Sequence, residues 1–390
     1  MNSEPQKPNP HRTDAGNGAP FYPDGQDIHR NYSPEEAGHD SKRKPVSRFR
    51  HRKPTPPNPG VIIVAVIFSV ICAVCLYLVI SGKNKPTDAD TFPSADNSGT
   101  VDVSDTAETT DNSLDYFTVN LPGDDIYTGN LILVNYAHEY KFPQSMEDEI
   151  ITVRTASNGN YKLRELSTRL LRGTVEHFNV LTQDYYAATG FNSLQINSAY
   201  RTYTEQQQIY ADYTEQYGAE YAKKYVANPG YSEHHTGLAL DLNVYIDGQG
   251  TYYVESYDGC QWFRDNAEQY GFVLRYPKEK VYITGIDYES WHYRFVGLPH
   301  SVIMLDLDLC LEEYIDYLRS FTYETNRLYY NDTNGSSVLA AEKASEMNGG
   351  TQIYYVPAGQ DSTEIKIPKD SEYSISGNNI DGYIVTATAR

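Results

Sequence analysis

The sequence predicts an α+β fold, preceded by one membrane-spanning helix and followed by a small β module, and three observations carry that prediction. Val61 to Ser81 is a run of 21 residues without a charge. At ~1.5 Å per residue it is long enough to cross a hydrocarbon core of about 30 Å as a helix. Beyond it, strand-like and helix-like periodicities alternate over roughly 200 residues, the mark of mixed layers. The last stretch of the chain turns to short apolar strands punctuated by turn residues.

The elements follow in order. Residues 1–60 are rich in Pro, Asn, Gly and Asp, with almost no apolar periodicity, and are expected to be disordered. Lys42, Arg43, Lys44, Arg48, Arg50, Arg52 and Lys53 precede the apolar run, against only Lys83 and Lys85 just after it. The positive-inside rule therefore predicts a single-pass cell-membrane protein with a cytoplasmic N-terminus and everything after the span outside. The run is too long and too far from the N-terminus for a cleaved signal peptide. Ile71 and Val74, which precede Cys72 and Cys75, are not the small residues of a lipoprotein signal. The chain has a formal net charge of −20, and its first 60 residues are slightly basic, so the external part is strongly acidic. That balance argues against a nucleic-acid partner. Cys260 and Cys310 are the cysteines beyond the span, and a disulfide and two buried thiols both fit them.

Residues 82–125 read as an acidic, Ser/Thr-rich linker. Folding is expected to begin near Leu131–Val134, read as a short strand, and one domain spans 126–330. The apolar residues Leu163, Leu166, Leu170, Leu171, Val175, Phe178 and Leu181 recur at three- and four-residue spacings and predict an amphipathic helix stopped by Gly190. A strand over "LQINSAYRT" then runs into a loop at Arg201. A helix through "EQQQIYADYTEQYGAEYAKKYV", the strand "GLALDLNV", a helix around "CQWFRDNAEQYG", the strands "FVLRYP" and "WHYRFVG" and a helix across "LCLEEYIDYLRSF" complete the domain. Residues 331–390 form the β-rich module, through "TQIYYVP", "TEIKIP", "EYSIS" and "GYIVTAT".

Chemistry concentrates in two stretches. "SEHHTGLALD", Ser232 to Asp241, sets two adjacent histidines before a strand whose alternation turns Leu238, Leu240, Leu242 and Val244 inward. Asp241 is thereby presented on the other face, beside the small Gly237 and Ala239. "DYESWHYRF", Asp287 to Phe295, adds His292 beside Glu289. A catalytic zinc site needs three nitrogen or oxygen ligands and an open position, which His, Asp and His would satisfy. Glu289 would lie close enough to act on the metal-activated water. Glu289 and His292 would face opposite ways on a regular strand, so a loop or bulge must separate them. Strand parity favours His235 as the partner of Asp241, whereas a bend at Thr236-Gly237 would free either histidine.

Together these residues resemble the zinc D-alanyl-D-alanine carboxypeptidases of the VanY type, within the wider group of lysostaphin-like and hedgehog-like metallopeptidases. The family patterns Ser-x-His-x-x-Gly-x-Ala-x-Asp and Glu-x-Trp-His are both matched in full, at Ser232–Asp241 and Glu289–His292. The resemblance covers about Leu131 to Tyr317 and implies a central, mainly antiparallel sheet with flanking helices. It implies one zinc ion per chain held by His234, Asp241 and His292, with Glu289 as general base and then proton donor. It also implies that Arg201 contacts the substrate and the developing oxyanion, that Ser232 and Gln206 hydrogen-bond the substrate, and that Trp291 forms a wall of the site. Ala199 stands where some relatives have Gly, and its methyl group is expected to narrow the approach to Arg201.

The implied activity is removal of the terminal D-alanine from peptidoglycan stem pentapeptides, by an enzyme facing the cell wall. The same scaffold in relatives also serves L,D-carboxypeptidases and endopeptidases. A wall-binding protein with a structural zinc is the reading from outside enzymology. The resemblance assigns nothing to the β module.

Overall fold

The computed structural model describes residues 115–331, 337–341 and 350–390. The expected cytoplasmic segment 1–60, the span 61–81 and most of the linker lie outside the described residues. Among the described residues no helix is long and apolar enough to cross a membrane.

Among the described residues, fifteen strands form the sheets. They are β1 (Tyr116–Pro122), β2 (Ile150–Thr152), β3 (Lys162–Leu163), β4 (Arg169–Leu171), β5 (Leu194–Ser198), β6 (Ala239–Ile246), β7 (Gly250–Tyr253) and β8 (Phe272–Leu274), followed by β9 (His292–Phe295), β10 (Arg327–Asn331), β11 (Ser337–Ala341), β12 (Thr351–Pro357), β13 (Ser362–Pro368), β14 (Ser371–Gly377) and β15 (Gly382–Ala389). The sheet that carries the site runs β3-β5-β6-β9-β8, with β7 also paired to β6. Only β3 and β5 are parallel in it, so the sheet is mainly antiparallel and the fold is α+β.

The alternation in "GLALDLNV" explains why β6 lies at the centre. Leu238, Leu240, Leu242 and Val244 are fully buried in one cluster with Val175, Phe178, Leu181 and Tyr185 of the helix Arg172–Thr189. Burying each of these large apolar side chains contributes about 1.5–3 kcal/mol. The helix ends at Gly190, which takes the left-handed conformation at φ 71° that glycine tolerates best. Its start differs from the expectation. Lys162–Leu163 and Arg169–Leu171 are strands, and Leu166 is exposed, because β4 pairs with β2 and β3 with β5. Helical spacing there is overridden by these longer-range pairings.

Two further readings are corrected. Leu131–Val134 is not a strand, although all four residues are buried. Leu131 and Leu133 join one core cluster while Ile132 and Val134 join the other. Its backbone is satisfied outside any ladder: Leu131 N–H donates to Ser376 Oγ, Leu133 N–H donates to the Asn378 carbonyl, and Leu133 O accepts from Asn379 Nδ2. The helix expected through "EQQQIYADYTEQYGAEYAKKYV" is two, Tyr203–Tyr217 and Ala219–Tyr225, divided at Gly218 with φ 94°.

The four expected C-terminal strands are present: β13 pairs with β1, while β12, β14 and β15 join β10 and β11 in the sheet order β11-β10-β12-β15-β14. That sheet shares a hydrophobic core with the preceding residues: Leu328, Tyr330, Ile353 and Ile384 cluster with Leu131, Val296, Ile303, Leu311 and Ile315. The expected boundary between residues 330 and 331 falls inside β10. Likewise β1, inside the stretch read as linker 82–125, pairs antiparallel with β13 over its whole length. Alternating Phe117, Val119 and Leu121 permit a strand there, but the partner lies about 250 residues away in sequence.

Candidate metal centre

Register assembles the site from three strands. Asp241 on β6 faces His292 on β9, and on the other side Ser198 at the end of β5, past a bulge after Ile196. The third contributor comes from the turn before β6. Glu233–Thr236 is a single 3-10 turn closed by Gly237 at φ 69°, with Thr236 Oγ1 donating to the Glu233 carbonyl and accepting from Leu238 N–H. This turn breaks the strand parity that favoured His235. His234, Asp241 and His292, all buried, bring one potential ligand atom each within 4.8 Å of one another.

The hydrogen bonds around each imidazole decide which nitrogen faces the centre. His234 Nδ1 lies 2.7 Å from the Ala199 carbonyl, which can only accept, so Nδ1 carries the proton and Nε2 is free, 3.4 Å from Asp241 Oδ2. His292 is arranged the other way round. Its Nε2 lies 3.3 Å from Glu233 Oε2, leaving Nδ1 3.2 Å from Asp241 Oδ1. His235 is occupied at both ends, with Nδ1 2.7 Å from the Arg201 carbonyl and Nε2 accepting from Gly230 N–H at 3.0 Å.

These residues fit a zinc ion. Asp241 Oδ1 is buried and has no hydrogen bond among the described residues. Tetrahedral zinc with bonds near 2.0–2.1 Å sets its ligand atoms about 3.3 Å apart; His292 Nδ1 lies 3.2 Å from Asp241 Oδ1 and His234 Nε2 lies 3.4 Å from the other oxygen, Oδ2, so each imidazole stands at that spacing from the carboxylate, though not from one shared oxygen. The donors, two imidazoles and a carboxylate, are a set that zinc enzymes use.

Charge points the same way. Burial, with Arg201 adding, lowers the His234 pKa to about 4, so its imidazole is neutral and able to bind a cation. Burial would also lower His292, but the facing carboxylates of Asp241 and Glu233 outweigh it and raise that pKa to about 9. A positive charge is thus stabilised between these carboxylates, in the position a cation would take. Burial pushes the Glu289 carboxyl up to about 7, opposed by His292 and helped by the Asp241 charge. Its side chain is 17% exposed, and Oε2 lies 3.6 Å from His292 Nδ1. The separation anticipated between Glu289 and His292 is a turn in which His292 N–H donates to the Glu289 carbonyl at 3.3 Å.

Arg201 is held before its helix by a capping box, in which Thr202 and Glu205 bond each other's backbone N–H. Its guanidinium donates to Ser198 Oγ at 2.7 Å and Gln206 Oε1 at 3.2 Å and lies 3.4 Å from Asp241 Oδ2. Gln206 is itself buried, with Nε2 donating to the Ala227 carbonyl, so it supports Arg201 from behind. Ser232 is buried at the start of the 3-10 turn. Trp291 lines a small pocket with Asn197, Asn243, Thr251, Tyr252 and Tyr253. Ala199, just past the end of β5, is buried in the main core cluster, and its carbonyl faces His234 Nδ1.

One residue escaped the sequence reading. Glu233, completely buried, accepts from Arg275 Nε at 2.8 Å and Arg294 NH1 at 2.7 Å, besides facing His292. Burial would raise its pKa, but the two guanidiniums prevail and hold its carboxyl well below the usual range. An acid beside a histidine is ordinary in sequence, and nothing in it says that Arg275 and Arg294 converge there.

Comparison with known proteins identifies the family. The VanY model, D-alanyl-D-alanine carboxypeptidase, matches residues 168–298. A D-alanyl-D-alanine carboxypeptidase of Enterococcus faecium is 35% identical over 263 residues, 67% of this chain and 76% of its own length. The bifunctional D-Ala-D-Ala dipeptidase and D-Ala-D-Ala carboxypeptidase VanXYC of Enterococcus gallinarum is 40% identical over 141 residues, 34% of this chain and 71% of that one. Among solved structures, the vancomycin resistance D,D-dipeptidase VanXYg in complex with a D-Ala-D-Ala phosphinate analog aligns with a TM-score of 0.58 and 33% identity. That alignment covers 70% of this chain and 99% of the other. Both long alignments exceed the stretch Leu131–Tyr317 that carries the motifs. The chain therefore belongs to the VanY-type D-alanyl-D-alanine carboxypeptidase family and is a peptidase.

Proposed function

We propose that this chain is a membrane-anchored zinc D,D-carboxypeptidase that removes the terminal D-alanine from peptidoglycan stem pentapeptides, with one zinc held by His234, Asp241 and His292. The observation that carries the proposal is the meeting of that buried triad with Glu289, the acid of Glu-x-Trp-His, 3.6 Å from His292 Nδ1. When bound, zinc supplies Lewis acidity to the scissile carbonyl and to the attacking water.

The chain's own residues do the rest. Glu289 takes a proton from the water as its oxygen bonds to the carbonyl carbon, and passes it to the leaving amine as the C–N bond breaks. A carboxyl near neutrality suits both transfers. Arg201 offers a fixed cation to the charge developing on the carbonyl oxygen, in a site where burial strengthens the attraction. Gln206 and Ser198 keep that guanidinium in place. Ser232 is assigned a hydrogen bond to the peptide, and Trp291 a wall beside it.

Mass spectrometry of products tests this, using the full chain with zinc, defined pentapeptide and tetrapeptide stems, cross-linked muropeptides and free D-Ala-D-Ala, beside Glu289→Ala. Loss of one D-alanine from pentapeptide is expected, and Glu289→Ala should lower its rate about 10²–10⁴-fold. Cleavage of tetrapeptide alone moves the chain to the L,D class, and cleavage of cross-links alone makes it an endopeptidase. No release from any substrate leaves a wall-binding zinc protein. A second reading, hydrolysis of free D-Ala-D-Ala as well, is favoured by the likeness to the bifunctional VanXYC and to the D,D-dipeptidase VanXYg.

The anchor is proposed from the uncharged run 61–81 and the basic cluster before it, with the catalytic part facing the wall. Recovery of the protein in the cytosolic fraction of its cells would refute it.

A further inference from the structure

We infer that Glu233 is a positioning residue, which fixes the ring of His292 so that Nδ1, and not Nε2, is presented to the metal. The inference rests on the zinc reading above and adds to it a residue outside the triad. Glu233 Oε1 accepts from both Arg275 Nε and Arg294 NH1, at 2.8 and 2.7 Å. Its other oxygen, Oε2, is 3.3 Å from His292 Nε2. An ionised carboxylate offers only acceptors. Nε2 must therefore hold its proton, and Nδ1, 3.2 Å from Asp241 Oδ1, is the nitrogen left to give up its proton for a ligand bond.

The surroundings make this setting hard to reverse. Arg275 also binds Glu312, NH1 to Oε2 at 2.8 Å and NH2 to Oε1 at 2.7 Å, and Glu312 Oε1 accepts from Asn135 Nδ2. Arg294, paired across β6 with Ala239, donates to the carbonyls of Asn130 and Ile132. Both guanidiniums are thus anchored on the side away from His292, and the carboxylate between them cannot rotate without abandoning one. The arrangement is the mirror of His234, whose Nδ1 proton is fixed by a backbone carbonyl instead. One ring is set by a main-chain acceptor, the other by a carboxylate that two arginines hold in place.

Substitution Glu233→Gln discriminates this role from simple packing. The two guanidiniums require an acceptor, so the amide oxygen turns to them and the amide NH2 to His292. An NH2 facing Nε2 favours the opposite tautomer, with the proton on Nδ1. Zinc affinity of the full chain, measured by competition with a chromogenic chelator, is expected to fall roughly 10–100-fold, the usual effect of losing such a partner. Ring-15N histidine NMR of the zinc-loaded wild-type chain, with His292 assigned through His292→Asn, is expected to show the proton on Nε2.

Glu312→Gln serves as the comparison. It weakens the outer end of the network without touching His292, so it should lower Tm but leave zinc affinity within about twofold. Wild-type zinc binding with the His292 proton on Nδ1 overturns the inference, and needs no variant to fold. So does a Glu233→Gln chain that binds zinc like wild type, or a Glu312→Gln chain that loses as much affinity as Glu233→Gln. A wild-type chain that binds no zinc fails the metal reading itself, and the inference with it.

Discussion

Gly237 is the residue on which the joining of His234 to Asp241 turns, and replacing it with alanine has a cost that can be worked from its surroundings. Its φ of 69° is left-handed, which costs an L-residue about 1–2 kcal/mol. The added Cβ would also lie 2.5 Å from Ile150 Cδ1 and 2.8 Å from Leu171 N. The isoleucine methyl can swing aside. Leu171 N cannot, because it donates to the Gly237 carbonyl at 3.0 Å and belongs to β4, which is paired with β2. Overpacking of this kind adds about 1–3 kcal/mol, for a total of about 2–5 kcal/mol. At roughly 2–4 °C per kcal/mol, Tm should fall by about 4–20 °C. Gly190→Ala is the matched control, since its φ is 71° and nothing lies within 4 Å of the added atom. It pays only the backbone strain. Thermal melts of both variants by circular dichroism, with a zinc titration of each, separate the two effects. If Gly237→Ala melts with or above Gly190→Ala, the close approach of β4 to the turn is wrong.

Other expectations follow from the same geometry. Asp241→Asn removes the charge shared by both imidazoles, so zinc at about 100 times its wild-type Kd, which should stabilise the wild-type chain by about 2.7 kcal/mol, should leave the variant's Tm almost unchanged; an equal rise in both chains would contradict the ligand assignment. Burial pushes the Glu268 carboxyl up to about 7, so between about pH 4.5 and 7 the folded chain holds a proton that the unfolded chain releases, and stability falls as pH rises. Glu268→Gln should therefore be more stable than wild type by up to about 3 kcal/mol at pH 8, with the difference gone below about pH 4.5, and parallel stability profiles would refute this. Cys260 and Cys310 are both buried free thiols, and burial raises the pKa of each. A thiol reagent should label them only after denaturation, and a non-reduced mass two hydrogens short would show a disulfide instead.

How much was legible in the sequence depended on whether a feature is local. The alternation of "GLALDLNV" was enough to place Asp241 on the face away from the core, since period two is a property of the strand itself. Gly190 marked the end of its helix for a similar reason, its left-handed φ being a local requirement. The C-terminal strands were readable from their turn residues. Helical spacing between Leu163 and Leu171 misled, because pairing with distant strands outweighed local preference. Leu131–Val134 is apolar and buried throughout, yet its partners some 245 residues away are a serine hydroxyl, a main-chain carbonyl and an asparagine amide and not the ladder of a paired strand.

The sequence by itself determined the residue types of the centre, the spacing of its two motifs and the family they resemble. Parity along the chain pointed to His235, and only the folded 3-10 turn ending at Gly237 brings His234 to Asp241. Tertiary structure alone decided which nitrogen of each histidine faces the centre, because that depends on acceptors supplied by other elements, the Ala199 carbonyl for one and Glu233 for the other. The clamp on Glu233 has the same origin. Arg275 follows β8 and Arg294 lies in β9, and a charge balance among buried groups exists only once those strands have met.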